Sequence, residues 1–95
     1  MDGERLERGA DVVEARISER EVVLLAPGAE DYLGLDAVAS DVWTRLAEPM
    51  SFDALVETLA ADYDAPRARI AADLEPLIEE LVEGGLLRRR PGDGA

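Results

Sequence analysis

The hydrophobic spacing of this chain changes character at Asp36, and that change restricts the fold more than any other feature. Ahead of it, Asp11-Val-Val-Glu-Ala-Arg-Ile-Ser18 alternates imperfectly, and Glu21-Val-Val-Leu-Leu-Ala26 is β-branched and more continuously apolar. Both are patterns of short strands. Ser18-Glu-Arg20 turns the chain between them, and Pro27-Gly28 is a firm turn signal. Glu30-Asp-Tyr-Leu-Gly-Leu35 follows as a third short strand, giving an antiparallel meander. From Asp36 onward the spacing is helical. Asp36 is a cap, and Val38, Ala39, Val42, Trp43 and Leu46 form a one-sided apolar stripe that Glu48-Pro49 ends.

Ser51 is a second cap, with Asp53 placed to interact with the helix dipole, and Leu55, Val56, Leu59 and Ala60 carry a helix to about Tyr63. Asp64 and Pro66 mark the start of a third helix. Its apolar face is Ile70, Leu74, Leu77, Ile78, Leu81 and Val82, and Gly84-Gly85 closes it. Pro76 lies inside this pattern and deletes a backbone hydrogen bond, so a kink or break is expected there. Leu86-Leu-Arg-Arg-Arg90 is a candidate terminal strand or wing. The expected architecture is α+β: an N-terminal three-stranded antiparallel sheet followed by three helices, winged helix-turn-helix-like in the pairing of the second and third. Residues 1–10 are expected as a flexible lead-in, residues 11–90 as one domain, and residues 91–95 as a flexible tail.

Composition narrows the chemistry. The 95 residues include no cysteine and no histidine, which excludes thiolate metal sites, disulfides, cysteine nucleophiles and histidine bases. Serine and the carboxylates form no nucleophile–base pair, and Glu79-Glu80 projects to different faces of a helix. The expectation is therefore no enzyme, no cofactor and no metal. A formal net charge of −12 disfavours nucleic acid and anionic membrane surfaces and favours a basic peptide or protein patch. No run approaches the length of a membrane span, and the charged Met1-Asp-Gly-Glu-Arg-Leu-Glu-Arg8 lacks the apolar core of a signal peptide. The expected location is cytoplasmic.

The run Tyr32-Leu-Gly-Leu-Asp-Ala-Val-Ala-Ser-Asp-Val-Trp-Thr-Arg-Leu46 resembles the third strand and first helix of the PqqD-like family. Ser51-Phe-Asp-Ala-Leu55 and Ala72-Asp-Leu-Glu-Pro-Leu-Ile-Glu-Glu-Leu-Val-Glu-Gly-Gly-Leu86 are similar to its later pattern, so the resemblance spans residues 11–90. Its sharpest part is Leu-Asp-x-x-Ala-x-x-Val-Trp, and Pro76 departs from the usual pattern. The resemblance implies a RiPP recognition element, a domain that binds the leader of a ribosomally made precursor peptide and presents it to a modifying enzyme. It is most like the free-standing leader-binding proteins of lasso peptide pathways, whose partner is a separate cysteine-protease-like leader peptidase.

In that family the leader adds as a strand beside the third strand and packs against the third helix. Carried onto this chain, the candidate peptide-binding residues are Asp31, Tyr32, Leu33 and Gly34 on the strand and Arg69, Asp73, Leu74 and Leu77 on the helix. An exposed edge offers unpaired N–H and C=O groups to an extended peptide, and Gly34 lets a partner backbone approach closely. Arg69 and Asp73 suit charge pairing and Leu77 an apolar pocket. The same stripe also fits an ordinary solvated helix face, Gly34 also fits a bulge, and Trp43 fits core filling better than binding. The competing function is a winged-helix DNA-binding transcriptional regulator reading DNA through residues 66–83. That helix sets Arg67 and Arg69 against Asp73, Glu75, Glu79, Glu80 and Glu83, which would repel phosphates.

Overall fold

A computed structural model describes residues 4–19 and 21–91 of the chain. Residues 1–3 of the expected lead-in, Arg20 of the first turn and residues 92–95 of the expected tail lie outside the described residues.

The expected meander is present. Strands β2 (Val13–Ser18), β3 (Glu21–Leu25) and β4 (Leu33–Leu35) pair antiparallel in that order. The register sets Val13 opposite Leu25, Ala15 opposite Val23, Val23 opposite Gly34, and Leu24 opposite Leu33. Side chains alternate across a sheet. Val22, Leu24 and Leu35 therefore enter the core, while Val13, Ala15, Val23 and Gly34 share the outward face. The third strand is shorter than its sequence pattern suggests, because Glu30 to Tyr32 remain in the exposed connection.

Helix α1 (Ala37–Arg45) starts where Asp36 Oδ1 accepts from the Ala39 N–H at 2.8 Å. Its buried side is Ala39, Val42, Trp43 and the following Leu46. Val38, expected in that stripe, is exposed instead, since the core line runs through positions 35, 39, 42, 43 and 46. Helix α2 (Phe52–Tyr63) is capped by the Ser51 hydroxyl, which accepts from the Ala54 N–H. Asp64, expected to mark the next helix, instead ends this one in the left-handed conformation at φ +53°. Helix α3 (Arg67–Glu83) then begins after Pro66.

Of the kink or break expected at Pro76, the break does not occur: α3 runs through it as one helix of 17 residues. Proline removes the N–H that would bond the Ala72 carbonyl, but both residues are exposed, so water can solvate that carbonyl. Gly85, at φ +79°, closes the helix: its N–H donates to the Val82 carbonyl and that of Leu86 to the Leu81 carbonyl.

The N-terminal segment differs most from expectation. Arg5–Arg8 forms a strand, β1, that pairs antiparallel with β6 (Leu87–Arg90) on one side and with the two-residue β5 (Met50–Ser51) on the other. Leu6 buries into the core, and Arg88 and Arg90 pair with Glu7 while Arg89 pairs with Glu4 and Glu79. The arginine run is thus an ion-paired strand. Arg8 reaches further. Its guanidinium stacks 4.3 Å from the Trp43 ring centroid and donates to the Trp43 carbonyl at 2.8 Å, while Trp43 Nε1 donates to Glu14. Trp43 is 2% exposed and fixes β1 and β2 to α1.

Candidate functional site

Three strands of three to six residues, β2, β4 and β6, end a sheet with an edge open among the described residues, as does the two-residue β5. They are not equivalent. The β2 edge carries a register shift between Arg16 and Ser18, a bulge of the kind that blunts an edge. Along β6, the Arg88 to Arg90 side chains are tied to Glu4, Glu7 and Glu79. The β4 edge has neither protection and faces a groove. Leu33, Gly34 and Leu35 form one wall of it and Leu77, Glu80 and Leu81 of α3 the other, with Asp36 and Ala39 closing it.

The direction of the β4 backbone groups follows from one side chain. Ser40, 2% exposed, accepts the Val22 N–H at 3.1 Å and donates to the Leu35 carbonyl at 3.2 Å. Its hydroxyl therefore stands between two groups that a ladder bond would otherwise join, and both point into the β3–β4 seam. Such groups alternate along an antiparallel strand. Leu33 consequently turns its N–H and C=O inward toward Leu24, and Gly34 directs both of its own to the open edge. A Cβ built on Gly34 meets no atom within 4 Å, so the fold itself does not require glycine here.

The candidate residues divide. Leu33, 40% exposed, Gly34 and the half-buried Leu77 come together in the groove. Asp31 and Tyr32 are exposed just ahead of β4 and outside the strand. Arg69 and Asp73 are exposed on α3, two turns and one turn before Leu77, and do not line the groove. Leu74 is 2% exposed and packs in the core, with no surface to offer a ligand. Leu35 belongs to the expected strand edge and Glu80 and Leu81 to the expected helix wall, whereas Ala39 was not foreseen in the lining. Glu80 and Leu81 follow Leu77 at i+3 and i+4 on the same face, which is the signal that pointed to them.

The groove is apolar at its centre and acidic at its rim. Asp36 spends one oxygen on the α1 cap, whereas Glu80 has no ionic partner among the described residues. Glu75, Glu79 and Glu83 continue the acidic surface along α3, and among the described residues only Glu79 of these is ion-paired, to Arg89 at 3.6 Å. A larger concavity of about 480 Å³ lies elsewhere, lined by Arg16, Asp41, Thr44 and Tyr63. Those four polar side chains already serve the fold. Arg16 donates to Thr44, Arg45 bridges Asp41 and Asp62, and the Tyr63 hydroxyl donates to Asp41. Desolvation, and then that bond to Asp41, push the Tyr63 phenol above its ordinary value.

Residues 21–87 match the family model for coenzyme PQQ synthesis protein D (PqqD). The PqqA binding protein of Rhodopseudomonas palustris (strain HaA2) is 35% identical over 65 residues, which cover 68% of this chain and 62% of that protein. The chain therefore spans under two thirds of the length of that relative. The structure of TbiB1 in complex with the TbiA(β) leader peptide is similar at 34% identity and a TM-score of 0.77, covering 85% of this chain and 93% of that one. The solution structure of the PqqD part of Methylobacterium extorquens PqqCD, a stand-alone RiPP recognition element, is similar at 27% identity and a TM-score of 0.72, covering 90% and 89%.

Proposed function

The chain belongs to the PqqD family, and from that premise we propose that it binds the leader region of a ribosomally synthesised precursor peptide as a strand added along β4. The observation that carries this reading is the open β4 edge facing α3 across an apolar groove. An extended peptide laid there satisfies the outward N–H and C=O of Gly34, and alternate side chains drop between Leu33 and Leu77 or point away from the core. The backbone bonds set register, and the groove selects the side chain that enters it. Two similar proteins support the assignment by what they bind: TbiB1 holds a leader peptide, and the R. palustris relative is a PqqA binding protein.

The groove supplies no catalytic pair, so the chain acts by positioning the peptide for a separate enzyme. The setting we propose is a lasso peptide pathway with a cysteine-protease-like leader peptidase, in the cytoplasm. Asp31 and Tyr32 extend the peptide path past the strand, and Asp73 and Arg69 extend it along the face of α3 that carries Leu77. DNA binding gains nothing from the structure. Asp73, Glu75, Glu79, Glu80 and Glu83 are all exposed on α3, and Arg67 is paired with Glu57 at 3.5 Å.

The test is a fluorescence anisotropy titration with a labelled leader peptide encoded beside the gene, run against labelled duplex DNA at physiological salt. Saturable leader binding without DNA binding is expected. DNA binding without leader binding at tens of micromolar would sink the proposal.

A further inference from the structure

The β2–β3–β4 sheet is apolar on both faces. Its inner face supplies Val22, Leu24 and Leu35 to the core. Its outward face carries Val13, 52% exposed, and Ile17, 66% exposed, beside Ala15, Val23 and Leu25. Val13 stands opposite Leu25 and Ala15 opposite Val23, so these side chains form one continuous layer. No described element covers it. An antiparallel sheet with one solvated face ordinarily alternates apolar-in with polar-out. A contiguous apolar layer with a polar rim marks an interaction surface.

Among the described residues the rim is acidic at both ends. Asp11, Glu30 and Asp31 flank the start of β2 and the loop into β4, and Glu19 and Glu21 flank the β2–β3 turn. All five are exposed and have no ionic partner among the described residues. An apolar centre with an acidic rim fits a protein whose apolar strip is bordered by arginine or lysine. A second copy of this chain fits poorly, because each copy carries a net charge of −12. The face is also continuous with the β4 edge. Gly34 lies opposite Val23 on it, and a depression lined by Ile17, Val23, Gly34 and Asp36 joins the two.

We infer that this outward face docks the enzyme that acts on the bound precursor peptide, through an apolar strip with a basic border. The inference rests on the leader reading above: a strand added at β4 would turn alternate side chains onto the same face, setting the peptide directly beside the docked enzyme.

The test uses the full chain, the labelled leader and the purified peptidase encoded in the same gene cluster as the precursor. Enzyme affinity is measured by isothermal calorimetry on the leader-loaded chain, with leader affinity measured separately by anisotropy. Val13→Glu and Ile17→Glu change exposed positions and should keep the wild-type melting curve and a leader Kd within about twofold. Enzyme affinity should fall by about tenfold or more. Glu30→Lys should also weaken the enzyme and flatten its salt dependence. Wild-type enzyme affinity in the Ile17→Glu variant, with the leader still bound, would overturn the inference and leave the leader reading standing. A wild-type dimer in sedimentation that Ile17→Glu converts to monomer would assign the face to a second copy and overturn it equally. Failure of the wild-type chain to bind leader would instead strike the reading on which it rests.

Discussion

Proline at position 34 separates strand addition from every other way this groove could hold a peptide. The Ser40 bridge fixes which backbone groups face the β3–β4 seam, and by alternation the Gly34 N–H faces the open edge. Gly34→Pro therefore removes a donor that the sheet does not use, at an edge position where proline is tolerated. The preceding Leu33 is already extended, as a residue before proline must be. The cost to the fold should stay within about 1 kcal/mol. The cost to leader binding has two parts. One hydrogen bond is lost, worth about 0.5–1.5 kcal/mol, and the leader carbonyl it served is left unpaired against the ring, at about 1–3 kcal/mol. A total of about 2–4 kcal/mol corresponds to a rise in Kd of roughly 30- to 1000-fold.

Two comparisons complete the experiment. Gly34→Ala keeps the N–H, and its Cβ meets nothing within 4 Å, so leader affinity should remain within about twofold. Leu33→Pro removes an N–H that faces Leu24, so it should destabilise the sheet and reduce binding only along with folding. Anisotropy gives the Kd and urea denaturation the stability. If Gly34→Pro is folded and binds the leader like wild type, the peptide does not add at β4 and the reasoning fails.

Ser40→Ala should lower stability by about 1–3 kcal/mol, because it strands the buried Val22 N–H and Leu35 carbonyl, and a thermal melt should show a fall of at least several degrees. An unchanged melt would mean that the strands close the ladder without the hydroxyl. Pro76→Ala should raise the unfolding free energy by about 1–3 kcal/mol, seen as a higher urea midpoint, by restoring the bond to the Ala72 carbonyl. Leader affinity should not change, since Pro76 lies outside the groove lining. Glu7 is held below the usual carboxylate value of 4.5, first by the hydrogen bond from Arg88 and then by the charges of Arg88 and Arg90, against an opposing desolvation. Its contribution is therefore present above the unfolded value and is lost as pH falls through the lower folded value. Denaturation followed from pH 6 to pH 3 should be less pH-dependent in Glu7→Gln than in wild type, and parallel curves would refute the clasp.

What could be read from the sequence was local. The caps at Asp36 and Ser51 and the glycine closure after α3 each depend on a few adjacent residues, and each is where the spacing put it. The strands of the meander are set by β-branched runs and a firm turn, and they too were legible. What escaped was non-local. Arg5-Leu-Glu-Arg8 is too polar to announce a strand, and it forms one only because β6, more than 80 residues away, supplies both a ladder and arginines for Glu7. Pro76 gives no break for the opposite reason. The local rule is sound, but α3 buries Leu74, Ile78 and Leu81 on the side away from the exposed Ala72 carbonyl, so packing on one face outweighs a missing bond on the other.

The candidate site shows the same division at finer grain. Leu33, Gly34 and Leu77 were legible because strand alternation and helix period each put a residue on a face. Leu74 was misplaced by one such step: it sits three residues before Leu77, but the core claims that side of the helix. The decisive group was not visible in the sequence at all. Ser40 looks like any serine on a helix, yet its hydroxyl joins β3 to β4 and so determines that Gly34, and not Leu33, offers its backbone to a ligand. A change at Ser40 should therefore alter leader binding without touching the groove lining, through the position of a strand edge, which no alternation pattern specifies.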